Sequence, residues 1–146
     1  MNIKDLKAKE VKSAMVTYDE DFKVKFNLNY IEKSEMTRLN GQFTRTKFNP
    51  KSHSKEEELD IEGLRKRICE IGVSGWSGVT PRWLATVMPI DADGIGNMDE
   101  EIPFSQENLT DLCESIYGLD GWIFENVRAG EHFNKIQAHK DNQIKN

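Results

Sequence analysis

The stretch SAMVTYDEDFKVKFNLNYI, residues 13–31, decides the fold because its apolar side chains recur at every second position. Five of them follow the polar YDED run and alternate with lysine and asparagine: Phe22, Val24, Phe26, Leu28 and Tyr30. Successive side chains of a strand point to opposite faces, so a period of two is typical of a half-buried strand. The pattern predicts a β-hairpin over residues 13–31, with YDED as its turn. Because two strands alone are marginally stable in water, the hairpin needs a cover.

Downstream of the hairpin the apolar spacing changes to three and four, which is typical of helices. The clearest case is residues 106–117, where Ser105 is the predicted N-cap and Gly118 the predicted end. The apolar stripe of this helix consists of Leu109, Leu112, Cys113, Ile116 and Tyr117. Together these patterns predict an α+β protein, with an N-terminal β-hairpin packed with a mostly helical C-terminal part.

Caps and spacing predict four further helices, at residues 34–41, 54–71 and 80–88 and from residue 119 onward. Thr80 is the predicted N-cap of the third. The polar, proline-containing residues 44–54 predict a mobile loop. Glycines before and after Trp76 predict a tight turn that fixes this aromatic residue.

The length of 146 residues is that of one ordinary domain. We expect a flexible N-terminal segment at residues 1–12, a single domain at 13–137 and a flexible polar tail at 138–146, because both ends are lysine-rich. The formal net charge of -5 argues against a general nucleic-acid binder, which carries a basic surface. No apolar run approaches the roughly 20 residues of a membrane helix, and the N-terminus has no signal core, so a soluble intracellular protein is expected.

The stretch IDADGIGNMDEEIPFSQEN, residues 90–108, has acidic residues at alternate positions, as a calcium loop does. Counted from Asp91, however, the ligand positions 5 and 12 are occupied by Ile95 and Ile102. Both side chains lack the oxygen atoms that calcium requires. We therefore interpret the stretch as a solvated acidic connection that leads into a helix, and no metal site is predicted.

The remaining residues that could carry chemistry are dispersed. The histidines His53, His132 and His139 form no zinc-binding pair, and no phosphate-binding loop is present. Cys69 and Cys113 lie in apolar patterns and not in a CxxC pair, which favours reduced, buried thiols in a cytosolic setting. The sequence thus predicts no catalytic residue and no cofactor, and the chain is not expected to be an enzyme.

Three short patterns carry a resemblance to a known family: GWSGV at residues 75–79, EIPFSQENL at 101–109 and LDGWIFENV at 119–127. With these patterns, preceded by a strand pair and a charged helix, the chain resembles the tail assembly chaperones of long-tailed bacteriophages and prophages. The resemblance implies a non-enzymatic, chaperone-like domain. Such chaperones coat the long, largely helical tape measure protein and keep it soluble until tail-tube subunits polymerise around it.

What the resemblance implies about partners and site is an expectation. The tape measure protein is the expected partner, the tail tube protein is a second candidate, self-association stays open, and the host bacterial cytoplasm is the expected location. Our hypothesis is that Trp76, Trp83, Ile102 and Phe104 lie near the partner-binding surface; the alternative for each is a place in the core. Two other functions stay open: a tail completion or connector subunit retained in the virion, and a small enzyme.

Overall fold

The computed structural model describes residues 1–10 and 12–134, and the chain is mixed α+β as the sequence predicts. The strands in chain order are β1 (Ser13–Asp19), β2 (Val24–Asn29), β3 (Thr44–Asn49), β4 (Ser54–Leu59) and β5 (Val73–Ser77). The helices are α1 (Ile3–Leu6), α2 (Lys33–Gln42), α3 (Ile61–Gly72), α4 (Pro81–Val87), α5 (Gln106–Ser115) and α6 (Leu119–Asn126), followed by a 3-10 turn at Gly130–Phe133. The predicted polar tail, residues 138–146, lies outside the described residues.

The predicted N-terminal hairpin is confirmed, but its turn is formed by residues 20–23 and not by YDED at 18–21. Strands β1 and β2 pair antiparallel with Val16 opposite Phe26. The side chains of Val24, Phe26 and Leu28 have no exposed surface, as the period of two requires. Their cover comes from α3, α5, α6 and the C-cap of α6, which contribute Leu64, Ile68, Leu109, Leu112, Ile123 and Val127 to the same core.

The prediction of a tight turn around Trp76 was wrong. Trp76 lies in β5, which pairs antiparallel with β2 so that Trp76 is opposite Phe26. The sheet order is therefore β1-β2-β5. The free edge of β2 supplies hydrogen-bond partners that a short glycine-rich segment uses, and this pairing is invisible in local sequence. Gly78 follows the strand with φ of 81°.

Residues 44–59 also differ from the prediction, which placed a mobile loop and then the start of a helix there. They form the antiparallel pair β3–β4, with Arg45 opposite Glu58 and Lys47 opposite Glu56. The turn is fixed locally, since the Asn49 side chain accepts a hydrogen bond from the backbone of Lys51 at 2.9 Å. Helix α3 begins after Asp60, whose side chain accepts a hydrogen bond from Gly63 N.

The predicted caps of the two central helices are confirmed. The Thr80 hydroxyl accepts from Trp83 N at the start of α4, and the Ser105 hydroxyl accepts from Asn108 N at the start of α5. The predicted end of α5 was wrong, because the helix ends at Ser115 and the Tyr117 side chain is fully exposed. Gly118, with φ of 80°, precedes α6 as its N-cap.

The other predicted helices are present at slightly different bounds. Helix α2 includes Gly41 in its last turn, and α6 begins at the predicted Leu119. The N-terminal segment contains the four-residue α1, whose residues are all exposed. Within residues 1–10 and 12–134, none of the helices combines the length and the apolar content needed to cross a membrane.

Candidate partner-binding cleft

Trp76 is the central residue of the candidate site. Its ring packs edge-on against Phe26 and Phe104, with ring centroids 6.1 Å and 5.1 Å away. Its indole nitrogen donates a hydrogen bond of 2.8 Å to the carbonyl oxygen of Ile102. The ring is half-buried, so this polar atom is satisfied while part of the apolar surface stays accessible.

Residues 88–105, which contain most of the acidic connection, are held beside Trp76 by hydrogen bonds. Ile102 N donates to the carbonyl oxygen of Val79 at 2.8 Å, and Gly78 N donates to the Glu101 carboxylate at 2.6 Å. Arg82 donates to both carboxylate oxygens of Asp99, at 2.7 Å and 3.2 Å. The hydrogen bond from Arg82 lowers the pKa of Asp99. Two of the acidic side chains, Asp99 and Glu101, therefore attach the connection to the fold.

These contacts leave a small opening that we call the Trp76 cleft. Its volume is about 150 Å³, and its lining is Trp76, Val79, Leu84, Met88, Ile102, Asn108, Asp111, Leu112 and Ser115. The apolar residues form the floor, and Asn108, Asp111 and Ser115 of α5 form a polar rim. An apolar cavity of about 150 Å³ holds a group the size of benzene. The cleft can therefore accept one leucine- or phenylalanine-sized side chain.

The structure brings three of the four predicted site residues together. Trp76 and Ile102 line the cleft, and the half-buried Phe104 packs against the Trp76 ring. Trp83 has no exposed surface, and its indole nitrogen donates to Asp19 at 3.3 Å. Because α4 turns Trp83 toward the sheet, this residue belongs to the core and is out of reach of a partner of the folded protein.

Leu84 and Met88 are among the residues of the cleft that sequence reasoning missed. The spacing of four along α4 and its C-cap places both on one face of that helix. This spacing is a signal that could have identified them as a pair. Their position beside Ile102 depends on the path of residues 88–105, which the local sequence does not encode.

A second opening, which we call the thiol cleft, separates α3 and α5 and has a volume of about 660 Å³. Cys69, buried in α3, and Cys113, half-buried in α5, both line it. Both thiols are free. A hydrogen bond between them lowers the pKa of Cys69 and raises the pKa of Cys113. Sequence reasoning treated the two cysteines separately and missed this proximity.

The chemistry of the two clefts differs. The described residues that line the thiol cleft include charged side chains such as Arg65 and Glu70 but no histidine that could act as a base. In the part of the chain that the structure describes, histidine, cysteine, aspartate and glutamate form no group of three that could hold a metal ion. The Trp76 cleft has the apolar floor and polar rim that are typical of a protein-binding site.

The chain was compared with protein-family models, with curated proteins and with solved structures, and none of them matches it.

Proposed function

We propose that the protein is a tail assembly chaperone of a long-tailed bacteriophage, which binds the tape measure protein and keeps it soluble in the host cytoplasm during tail assembly. The observation that supports this most is the Trp76 cleft, an apolar opening at the surface with a polar rim. GWSGV and EIPFSQENL, two of the three patterns that carry the family resemblance, supply Trp76 and Ile102 of its lining. The proposed role is non-enzymatic and uses no cofactor.

The size of the cleft fits an anchor from an amphipathic helix. Helical partners insert side chains at positions i, i+3 or i+4 into apolar grooves. The floor contains Met88, whose flexible thioether adapts to side chains of different shape. A chaperone that binds many places along the helical tape measure protein needs this tolerance, because the side chain that enters the cleft differs from place to place.

Charge favours a partner with basic residues beside its apolar anchors. Asp111 on the rim is exposed, and the whole chain carries a formal net charge of -5. Complementary charge speeds association and orients the partner, while it adds little affinity at an exposed rim. The polar rim should therefore orient a bound helix so that its apolar side chain packs against the floor of the cleft.

The binding should be weak at each contact and reversible. Burial of one leucine- or phenylalanine-sized side chain contributes about 1.5–3 kcal/mol. A millimolar complex already requires about 4 kcal/mol. One anchor is therefore not sufficient, and stable coating of the tape measure protein needs further contacts or several copies. Such weak contacts suit a chaperone that tail-tube subunits displace.

The experiment is co-expression of the tagged protein with the tape measure protein of the same genome, followed by affinity capture. Ser115→Trp, at the exposed rim, fills the mouth of the cleft and should reduce capture at least about tenfold, the equivalent of one lost anchor. Glu114→Trp is the matched control, since it adds the same side chain to the same helix outside the cleft. Circular dichroism establishes that both variants are folded.

Equal capture by wild type and both variants would exclude the cleft as the contact. Failure of the folded wild-type protein to capture the tape measure protein would contradict the chaperone role itself. In that case mass spectrometry of purified virions should test the alternative. A tail completion or connector subunit stays in the particle, whereas a chaperone leaves it.

A further inference from the structure

Cys69 and Cys113 form a thiol pair that the proposed function does not use. Cys69 lies in α3 and Cys113 in α5, and the two helices pack side by side with both thiols toward the thiol cleft. Each thiol also shifts the pKa of the other, as expected for neighbouring side chains. Two cysteines that line one cavity between packed helices are candidates for a disulfide, which requires Cα atoms roughly 4.4–6.8 Å apart.

The reactivities of the two thiols are unequal and complementary. The hydrogen bond from Cys113 lowers the pKa of Cys69, with a smaller contribution from Arg65, although burial and the nearby carboxylates of Asp120 and Glu70 oppose it. The same bond raises the pKa of Cys113, which stays protonated. The pair therefore contains one thiolate-prone sulfur and one thiol that supplies the second sulfur of a disulfide.

Access to the pair is restricted to small molecules. Cys69 is 5% exposed, and Cys113, at the wall of a cleft of about 660 Å³, is half-buried. A molecule the size of hydrogen peroxide can enter such a cleft, whereas a protein thiol of another chain cannot reach Cys69. An intramolecular product is therefore favoured over a disulfide-linked dimer.

We propose that Cys69 and Cys113 are a modification site, at which a hydroperoxide such as hydrogen peroxide produces an intramolecular disulfide that cross-links α3 to α5. The inference does not depend on the chaperone role. It assigns chemistry to the larger cleft, whose charged lining does not suit an apolar partner.

The reaction has two steps. The Cys69 thiolate attacks one peroxide oxygen, the O–O bond breaks, and the departing hydroxide takes up a proton to become water. The Cys113 sulfur then attacks the sulfur of the Cys69 sulfenic acid, the S–O bond breaks, and the departing hydroxide takes the Cys113 proton as a second water. Two thiols and one hydrogen peroxide thus give one disulfide and two waters, with the thiols oxidised and the peroxide reduced.

The cross-link should raise the thermal stability of the protein. Helix α5 carries Cys113 on one side and the rim residues Asn108, Asp111 and Ser115 on the other. Fixing α5 to α3 closes a loop of residues 69–113 and restricts the unfolded chain. The oxidised protein should therefore melt at a temperature about 10 °C higher than the reduced protein.

The test is intact-mass measurement of the native wild-type chain after treatment with hydrogen peroxide. The expected product is a monomer that has lost the mass of two hydrogen atoms, with peptide mapping that joins Cys69 to Cys113. In Cys113→Ser the reaction should stop at a Cys69 sulfenic acid, which dimedone traps. In Cys69→Ser the rate of oxidation at Cys113 should fall at least about tenfold, since its thiol stays protonated.

Other products would overturn the proposal. These are two unmodified thiols in the wild type, a disulfide-linked dimer, or separate oxidation of each cysteine to sulfinic acid. The wild-type result stands by itself if a serine variant fails to fold. Dithiothreitol should restore the original mass and the lower melting temperature, and failure to restore them would exclude a disulfide.

Discussion

Replacement of Gly78 by alanine should destabilise the protein more than the same replacement at a glycine that has a similar positive φ but no atoms close to the added Cβ. Gly78 has φ of 81°, and a Cβ atom there would lie 2.4 Å from the carbonyl oxygen of Lys23 and 3.1 Å from Cα of Val24. Both contacts are with backbone atoms of the hairpin, which cannot move away as a flexible side chain can. The alanine must therefore displace the turn after β5.

The magnitude follows from two additive costs. The left-handed conformation costs a non-glycine residue about 1–2 kcal/mol. Steric crowding in a packed region adds about 1–3 kcal/mol. Gly118 is the matched control, because its φ is 80° but an added Cβ would meet nothing within 4 Å. We expect a loss of about 2–5 kcal/mol for Gly78→Ala and about 1–2 kcal/mol for Gly118→Ala.

Urea unfolding, followed by tryptophan fluorescence and far-ultraviolet circular dichroism, measures both losses. The gain from a less flexible unfolded chain is common to the two substitutions and cancels in their difference. Gly78→Ala should also weaken capture of the tape measure protein. Gly78 N donates a hydrogen bond to the Glu101 carboxylate, and the carbonyl oxygen of the adjacent Val79 accepts one from Ile102 N, so displacement of this turn would disturb the cleft. Equal destabilisation by the two substitutions would refute the close approach between this turn and the hairpin.

Three further predictions concern single contacts. Trp76→Phe removes the hydrogen bond to Ile102 and should lower the free energy of unfolding by about 0.5–1.5 kcal/mol in urea titrations, with no change expected if residues 88–105 are not tethered there. Replacement of residues 46–57 by two glycines should leave the melting temperature of the domain within a few degrees, measured by calorimetry, because β3 and β4 are largely exposed; a large fall would reveal a contact with the core. Burial, with a smaller contribution from Asp19, raises the pKa of Tyr18 above its ordinary 10.0, so stability is full below that pH and is lost as pH rises further. The unfolding free energy should fall less steeply above pH 10 in Tyr18→Phe than in wild type, and equal slopes would contradict this effect of burial.

The features that local sequence predicted well are those with a local cause. The period of two identified β1 and β2, because one face of each must be buried. Thr80 and Ser105 identified the starts of α4 and α5, because a cap satisfies backbone groups within three residues of itself. In both cases the residues that show the sequence pattern are also the residues that make the stabilising contacts.

The features that were missed depend on residues far apart in the chain. The run EEE at residues 56–58 favours a helix by intrinsic propensity, yet it forms β4 because Arg45 and Lys47 lie opposite Glu58 and Glu56. Strand β5 exists because β2 offers a free edge. Helical spacing also extended α5 to Tyr117, although the chain turns away after Ser115.

The candidate site was predicted in part for the same reason. Trp76, Ile102 and Phe104 attracted attention as apolar residues in patterns rich in glycine and polar residues, and the structure brings them into one cluster. Trp83 was predicted as a site residue with them but faces the core. Which side of a helix contacts the sheet depends on tertiary packing. The residue type alone therefore could not show that Trp83 is buried while Trp76 is partly exposed.

The most direct test of the chaperone role is the mass and solubility of the co-expressed complex. We expect the tape measure protein to be insoluble alone and, when captured with this protein, to form a soluble complex containing several copies of the 146-residue chain per tape measure chain. A tape measure protein that is equally soluble with and without the folded chaperone candidate, and that brings down no copy of it, would contradict the account.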